Sequence, residues 1–349
     1  MRVGRAVWRV GRTVLAVWAL ASAVFLLSHR DAETTVRLAL PDAADLSHRT
    51  APDPTREAAA SASVRRRLGL DLPLFYVGRL SPGWAWHGAH NQYHRWARQT
   101  ARGDLGTSFR TGEAVTRRLG AALAVTLPLT GTAAVLAVAL AVALAQALAA
   151  RPRWHGAVRA GLGVLQAFPL FVVALLLLLA FANPEALAWF PAYGLARPPG
   201  ILGDEIGFIE TLPYLVLPVA ALTLAALPEL TLQLEAALAQ ELGTGYAATA
   251  RAKGLAERAV VRRHALRNAL LPTLTQLTDL LPALVAGAVV VEVVFGLPGM
   301  GRLLAEASAA RDYPVLVGGV LLTGAARLLA LLLADVFYFW ADPRIRWQP

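Results

Sequence analysis

Gly245-Tyr-Ala-Ala-Thr-Ala-Arg-Ala-Lys-Gly-Leu255 is a polar stretch between two long apolar runs, and it continues through Val260-Val-Arg-Arg-His-Ala-Leu-Arg-Asn-Ala-Leu-Leu-Pro272. Alanine favours helix, and a glycine commonly follows the last helical residue, so the alanines before Gly254 predict a short helix that ends there. The stretch is rich in arginine and holds Lys253, the only lysine of the chain. Small side chains allow a partner to approach the backbone closely, and basic residues attract an acidic surface. The stretch is therefore predicted to be a docking element.

Composition places the chain in a membrane. Of 349 residues, 56% are hydrophobic and only 16% are charged, against about a quarter charged in soluble domains. The absence of cysteine excludes disulfides and thiolate metal sites. A net charge of +10 suits the anionic inner leaflet of a membrane. No basic patch is interleaved with aromatic residues as base stacking would require, so nucleic acid is not an expected partner.

Six apolar runs are long enough to cross a bilayer, which predicts an all-α membrane protein with six transmembrane helices. The segments that would face the cytoplasm are rich in arginine, so both termini are expected inside. We predict a cytoplasmic N-terminus and first helix over 1–28, an extracytoplasmic segment over 29–118, and a five-helix core over 119–349 with a cytoplasmic loop at 239–271. The six runs cover 13–27, 121–150, 160–182, 212–238, 271–295 and 313–340.

Two of these assignments have alternatives. The basic N-terminus followed by a short apolar core is also typical of a cleaved signal peptide, although counting Val7 and Trp8 extends the apolar run to about the 20 residues of a retained span. The segment 29–118 carries many arginines, which would favour the cytoplasm for a short loop. Long loops cross the membrane largely regardless of charge, so we place this segment outside.

Several stretches resemble one family in the same order along the chain. Val64-Arg-Arg-Arg-Leu-Gly-Leu-Asp-Leu-Pro73 and Gly103-Asp-Leu-Gly-Thr-Ser108 resemble its "LGLD-P" and "GDLG-S" motifs, and Tyr246–Leu255 resembles "Y-x-x-T-A-R-A-K-G-L". Glu292-Val-Val-Phe-Gly-Leu-Pro-Gly-Met-Gly-Arg302 and Arg311-Asp-Tyr-Pro314 resemble two later motifs. The chain thus resembles the permease subunits of ABC importers, in the branch that imports dipeptides, oligopeptides and nickel.

The resemblance gives the opening stretch the role of a coupling loop for a partner ATPase. The general consensus Glu-Ala-Ala, aligned on Gly254, falls on Ala248, Thr249 and Ala250, so its glutamate is missing here, as the peptide branch commonly tolerates. The P-loop pattern G-x-x-x-x-G-K-[ST] is also absent, so the chain is not expected to be an enzyme, and ATP and Mg would be bound by partner subunits. The coupling residues implied are Tyr246, Ala248, Thr249, Ala250, Arg251, Lys253 and Gly254.

The resemblance also implies an assembly in the bacterial cytoplasmic membrane. A second, similar permease would complete the translocation path, two ATPases would dock below, and a solute-binding protein would dock outside. Glu292, Pro298, Gly299 and Gly301 would form a tight turn or gate near the outer mouth. Asp279 and Arg327 are charges within apolar runs, where such residues usually face a bundle or an aqueous path and pair with each other.

Other classes of function stay open at this point. An ATP-independent channel or secondary transporter would show internal repeats, and none is clear. An intramembrane enzyme would need a nucleophile with a base, or a metal cluster. His87, His90 and His94 are spaced to share one helical face and could bind a metal, but the neighbouring aromatic residues favour a packed or interfacial segment, and no metal site is expected. The sequence does not identify the transported solute.

Overall fold

The computed structural model describes residues 2–28, 59, 61–63, 65–66, 71–80, 83–150, 152–194 and 208–341, which are mostly helical. Half of the "LGLD-P" stretch, residues 64 and 67–70, and the basic C-terminal residues 342–349 lie outside these ranges. We number the helices and strands used below in chain order. They are α1 (Arg2–Ser28), β1 (Val77–Leu80), β2 (Gly83–Trp86), α2 (Gln92–Ala101), α3 (Val115–Ala150), α4 (Pro152–Ala167), α5 (Leu170–Phe181), α6 (Phe208–Leu242), α7 (Gly245–Ala252), α8 (Glu257–Val260), a π-helical turn (Val261–Ala265), α9 (Leu266–Val294), α10 (Met300–Ala309) and α11 (Tyr313–Ala341).

The chain divides into two compact units. One comprises Met1–Gly120 with Leu304–Ala326, and the other comprises Ala121–Leu303 with Arg327–Pro349. The first unit therefore draws its residues from two distant parts of the sequence. Its described core packs Ala21 and Phe25 of α1 against Val317 of α11. The antiparallel hairpin β1–β2 belongs to the same unit.

The second unit is a helical core built from α3, α5, α6 and α9. Leu129, Leu222, Leu284 and Phe295 are among its fully or nearly fully buried residues. On α3 five buried residues between Leu129 and Ala145 follow a spacing of four, which places them on one face of the helix. Alanine occupies most of these positions, and small residues let membrane helices approach closely. The alanines on this face are Ala133, Ala137, Ala141 and Ala145.

Among the described residues, three helices are long and apolar enough to cross a membrane, and a bent pair of helices raises that number to four. The three helices contain the stretches Val10–Leu27, Val115–Ala149 and Thr211–Leu242. In α9 and α11 the described apolar stretches are shorter, at Ala283–Val294 and Tyr313–Leu329. The described residues thus show a mostly helical protein with three or four candidate spans, and the six spans that the sequence predicts stay a prediction.

The sequence predicts a single span over the third apolar run, 160–182. In the structure this run is not one straight helix. It forms α4 and α5, which bend by 103° at the break. Pro169 causes the break, because proline has no N–H to continue the helix and disfavours helical geometry at Phe168. Pro169 itself adopts extended backbone, with φ −57° and ψ 144°. The sequence analysis did not predict this break, because the alanine- and leucine-rich residues on both sides of Pro169 resemble one continuous span.

The predicted cytoplasmic loop 239–271 is mostly helical. α6 extends to Leu242, and α9 begins at Leu266, so both long helices project beyond their apolar runs. Between them lie α7, α8 and the π-helical turn. A compact set of short helices therefore replaces the open loop that polarity alone suggests.

Candidate functional site

The short helix α7 has a buried face and an exposed face. Ala247 is fully buried, and Ala250 is 6% exposed; both pack with Val260. Leu242 and Leu255 flank this small cluster. Ala248 and Thr249 are exposed on the other side of the helix. The small residues therefore have two effects. On the buried face they let α7 pack closely against Val260, and on the exposed face Ala248 and Thr249 leave a low outer surface.

Gly254 follows the end of α7, where the sequence predicts that the helix stops. Its φ of +79° lies in the left-handed region, which other residues adopt only with strain. The turn is held by bonds from Gly254 N to Arg251 O at 2.9 Å and from Leu255 N to Ala250 O at 3.3 Å. These bonds satisfy carbonyl groups at the end of the helix, which otherwise lack partners.

Tyr246 joins α7 to both long helices. Its hydroxyl donates to Oε2 of Glu241 at 2.5 Å, at the end of α6. Nδ2 of Asn268, in the first turn of α9, donates to the Tyr246 hydroxyl at 3.2 Å. Tyr246 therefore anchors α7 to the two long helices, while 37% of the residue stays exposed.

Arg251 closes the other end of α7. Its Nε and Nη2 donate to the two carboxylate oxygens of Glu257, at 2.9 and 2.6 Å, and its Nη1 donates to the carbonyl of Leu242 at 2.9 Å. The hydrogen bonds from Arg251 lower the pKa of the Glu257 carboxyl below its ordinary value. The same pairing raises the pKa of Arg251. The guanidinium is thus occupied within the chain and holds α7 between α6 and α8.

Other cations of the segment are presented outward. Val261 and Ala265 of the π-helical turn are buried, together with Ala269 of α9. The basic residues that alternate with them are exposed, and so is Lys253, for which the structure records no ion pair with any described residue. This exposed basic surface consists of Lys253, Arg258, Arg262, Arg263, His264 and Arg267.

The structure thus separates the predicted coupling residues into two groups. Ala248, Thr249, Lys253 and Gly254 are exposed, and a partner can reach them. Tyr246 and Arg251 are exposed as well, and together with the buried Ala250 they also support α7 from within the chain. Sequence reasoning overlooked Glu241, Glu257 and Asn268, which complete that support. A glutamate on either side of the T-A-R-A-K-G motif is the signal that could have indicated two of them.

At the other end of α9, Glu292 organises the turn that leads into α10. Glu292 is fully buried. Its carboxylate accepts from Oγ1 of Thr126 at 2.5 Å and from the backbone N of Arg302 at 3.0 Å, and Thr126 Oγ1 accepts from the backbone N of Met300 at 2.8 Å. The first N–H groups of a helix lack partners within it, and a carboxylate there is favourable. Glu292 therefore caps α10.

The glycines of this turn make room for that contact. A methyl group at Gly299 would overlap the Glu292 carboxylate, and one at Gly301 would overlap the backbone of Val289. Pro298 is exposed beside them. The geometry gives the "E-x-V-F-x-x-P-G-x-G" motif a structural reason, which is close packing of α10 on α9. The predicted gating role of Glu292, Pro298, Gly299 and Gly301 stays a prediction.

A second buried carboxylate joins two motifs that are 204 positions apart in sequence. Asp312, just before α11, is 1% exposed and accepts from the Ser108 hydroxyl, from Phe109 N at 3.0 Å and from Arg118 Nη1 at 3.2 Å. Ser108 ends the "GDLG-S" stretch, and Asp312 lies in "R-D-Y-P". Both motifs therefore belong to one polar cluster within the first unit.

The other candidates from the sequence are not assembled into a site. α2 begins at Gln92 with Asn91 as its N-cap, so His87 and His90 precede the helix and do not share a helical face with His94. No group of three or more histidine, aspartate or glutamate side chains among the described residues could hold a metal ion. Arg327 is exposed on α11. Asp279 lies in α9, but its side chain is outside the described residues, so their pairing stays a prediction.

A groove of about 300 Å³ lies between α5, α6 and α9 in the second unit. Its walls are apolar except for two side chains of α6, Glu229 and Gln233. Nε2 of Gln233 donates to Oε1 of Glu229 at 3.2 Å, while Oε1 of Gln233 is buried without a hydrogen-bond partner among the described residues. The groove therefore offers hydrogen-bond acceptors, one of them charged, on an otherwise apolar surface.

Residues 133–347 match the protein-family model described as the binding-protein-dependent transport system inner membrane component. The oligopeptide transport system permease protein AppB of Bacillus subtilis (strain 168) is 32% identical over 261 residues, covering 73% of this chain and 80% of that protein. The di/tripeptide transport system permease protein DppB of Pseudomonas aeruginosa (strain UCBPP-PA14) is 34% identical over 305 residues, covering 82% and 85%. A chain of the MetNI methionine ABC transporter, in an inward-facing conformation, matches 65% of this chain with a TM-score of 0.49 and 18% identity.

Proposed function

Because this chain belongs to the family of binding-protein-dependent transport system inner membrane components, we propose that it is one permease subunit of a bacterial ATP-driven importer of short peptides. Two relatives with more than 30% identity are named as an oligopeptide and a di/tripeptide permease, which supports a peptide as the solute. We infer a second permease as the other half of the path, two ATPases on the cytoplasmic side and a solute-binding protein outside.

The observation that carries this proposal is the construction of α7. A helix of 8 residues is fixed to α6, α8 and α9 by the hydrogen bonds of Tyr246 and Arg251. Its exposed face carries small side chains, and exposed cations surround it. A partner that pushes on α7 therefore moves two long helices with it. This is the mechanical requirement for coupling ATP hydrolysis in another chain to motion in the membrane.

The topology proposed for this function has six spans with both termini in the cytoplasm. The bent pair α4–α5 supplies one span, and α9 and α11, with 29 residues each, are long enough to supply two more. α7 then lies on the cytoplasmic side between the fourth and fifth spans. The segment 29–118 and the turn before α10 lie on the outer side, where Glu292 and Gly299 hold the turn in place.

We assign the groove at Glu229 to the translocation path. A charged side chain at membrane depth usually faces an aqueous path or a partner rather than lipid. A peptide carries an ammonium group at its N-terminus, and the Glu229 carboxylate with the unpaired Gln233 oxygen suits such a donor. A second permease would close the open side of the groove.

The test is ATP-driven uptake by the complete assembly, reconstituted in vesicles with the ATPases inside. Ala248→Leu places a bulky group on the exposed face of α7 and should reduce uptake at least tenfold while the permease assembles normally. Ala101→Leu is the matched control, because Ala101 is an exposed alanine at the end of α2, far from α7 in sequence. Uptake that proceeds equally well without ATP would favour an ATP-independent channel or secondary transporter instead.

A further inference from the structure

The hairpin β1–β2 exposes a pair of tryptophans on one face. Residues two apart on a strand share a face, so Trp84 and Trp86 lie on the same side. Their exposed fractions are 77% and 72%. Val77, which is paired with Trp86 across the hairpin, is also 40% exposed. Large aromatic side chains gathered on one exposed face usually mark a surface that binds something.

The opposite face of the hairpin is turned toward the chain at Gly78. It carries Gly78, Gly83 and Ala85 by the alternation of the two strands. A methyl group at Gly78 would approach Nε2 of His87 to 2.6 Å, so the ring of His87 covers that part of the face. The two faces of the hairpin therefore differ: His87 covers Gly78 on one face, while Trp84 and Trp86 are exposed on the other.

A chain of aromatic contacts attaches this hairpin to α1. The Tyr76 ring stacks on Trp86, with ring centroids 5.9 Å apart, and meets Tyr93 of α2 edge-on at 6.0 Å. Nε1 of Trp18 donates to the Tyr93 hydroxyl at 3.2 Å. Trp96 of α2 stacks on Phe25, with centroids 4.8 Å apart. The hairpin is thus joined through α2 to the second half of α1.

α1 is a candidate membrane span with little protein around it. Its apolar stretch Val10–Leu27 is only 11% buried in the structure. The hairpin and α2 contact the second half of this helix. If the helix spans the membrane, they lie at the edge of the bilayer and not in bulk water. On α2 the exposed Arg95 and Arg98 suit lipid phosphate groups, which carry negative charge.

We propose that the face formed by Val77, Trp84 and Trp86 inserts into the headgroup region of the outer leaflet and anchors the first unit to the membrane. Tryptophan is enriched at this depth because its ring is apolar while its N–H group forms hydrogen bonds. The proposal rests on the topology proposed above, in which α1 crosses the membrane and its C-terminal end lies on the outer side. It does not depend on the identity of the transported solute or on docking of an ATPase.

The chain contains no cysteine, so a single introduced cysteine can carry a spin label at a chosen position. Trp84→Cys and Trp86→Cys report on the proposed face, and Ala85→Cys reports on the opposite face. Lys253→Cys gives a reference in water. In vesicles of phosphatidylcholine and phosphatidylglycerol, labels at 84 and 86 should collide several-fold more with oxygen, relative to a water-soluble nickel chelate, than labels at 85 and 253.

The native side chains provide a second measurement. Lipids brominated near the headgroup should quench the fluorescence of the unmodified chain more than that of a Trp84→Phe, Trp86→Phe double variant. The proposal is overturned if labels at 84 and 86 are as accessible to the nickel chelate as the label at 253. It is also overturned if only the added solute-binding protein, and not lipid, shields them. Transport assays do not enter this test, so its failure is distinct from failure of the proposed function.

Discussion

Two polar clusters flank α9 along the chain, and they are built in opposite ways. At the turn before α10, Glu292 is buried and accepts hydrogen bonds from Thr126 and from the backbone of Arg302. At the other end, Arg251 and Glu257 form a bidentate ion pair at the surface. Buried polar groups are costly to leave without partners, while exposed pairs contribute little. The turn before α10 is therefore built for rigidity, and the segment around α7 is built to present a surface.

The largest effect should come from removing the buried carboxylate. Glu292→Ala leaves the Thr126 hydroxyl and the Arg302 N–H without an acceptor, and each buried unsatisfied group costs about 1–3 kcal/mol. We expect a loss of roughly 3 kcal/mol in unfolding free energy, visible as a lower melting temperature of the purified permease in detergent. Val293→Ala, at the next and half-exposed position, is the control and should change little. Equal melting temperatures for the two variants would contradict a capping role.

The glycines before and within α10 allow a second comparison. Gly301→Ala would overlap the Val289 backbone, and overpacking of this kind costs about 1–3 kcal/mol. Gly131→Ala makes the same change inside α3, where the described residues place no atom beyond the helix's own nearby backbone within 4 Å of the new methyl group. That substitution should be neutral or stabilise the helix by up to about 1 kcal/mol. If both variants melt alike, close packing of α10 on α9 is not what the glycine provides.

The sequence predicted local features better than distant contacts. The short helix ending at Gly254 follows from the alanines and the glycine, and the structure confirms it. The contact of Ser108 with Asp312 could not be predicted, because nothing local links residues 204 positions apart. Inward packing of Ala250 also escaped the sequence, since alanine suits either face of a helix. The bend at Pro169 was missed because apolar periodicity on both sides resembles one span.

A smaller effect is expected from the hydroxyl that links α7 to α6 and α9. Tyr246→Phe removes two hydrogen bonds while it keeps the ring, at a local cost of about 1 kcal/mol. ATP-driven uptake should fall a few-fold, because α7 then transmits motion less rigidly. Tyr193→Phe is the control, since Tyr193 is 66% exposed and far from α7 in sequence. Unchanged uptake by Tyr246→Phe would mean that rigidity of this link is not needed.

The smallest effect concerns the surface ion pair and pH. Arg251 lowers the pKa of Glu257 in the folded chain, so the pair stabilises the segment above the unfolded pKa of Glu257, and this contribution is lost as the pH falls through the lower folded value. Hydrogen-exchange protection of the α7 amides, corrected for intrinsic rates, should therefore decline below pH 4.5, the ordinary pKa. Glu257→Gln should remove most of this decline. A wild-type decline that starts well above that pH would point to another group.

The central claim is that the exposed face of α7 contacts a partner ATPase. The direct measurement is photo-crosslinking from a benzophenone attached to a single cysteine at Ala248→Cys, within the complete assembly and with Ala101→Cys as the control. We predict a product that joins the permease to an ATPase subunit from position 248 and none from position 101. Adducts to lipid alone from position 248, with ATP-driven uptake intact, would contradict the claim and leave α7 as a basic element that lies against the membrane.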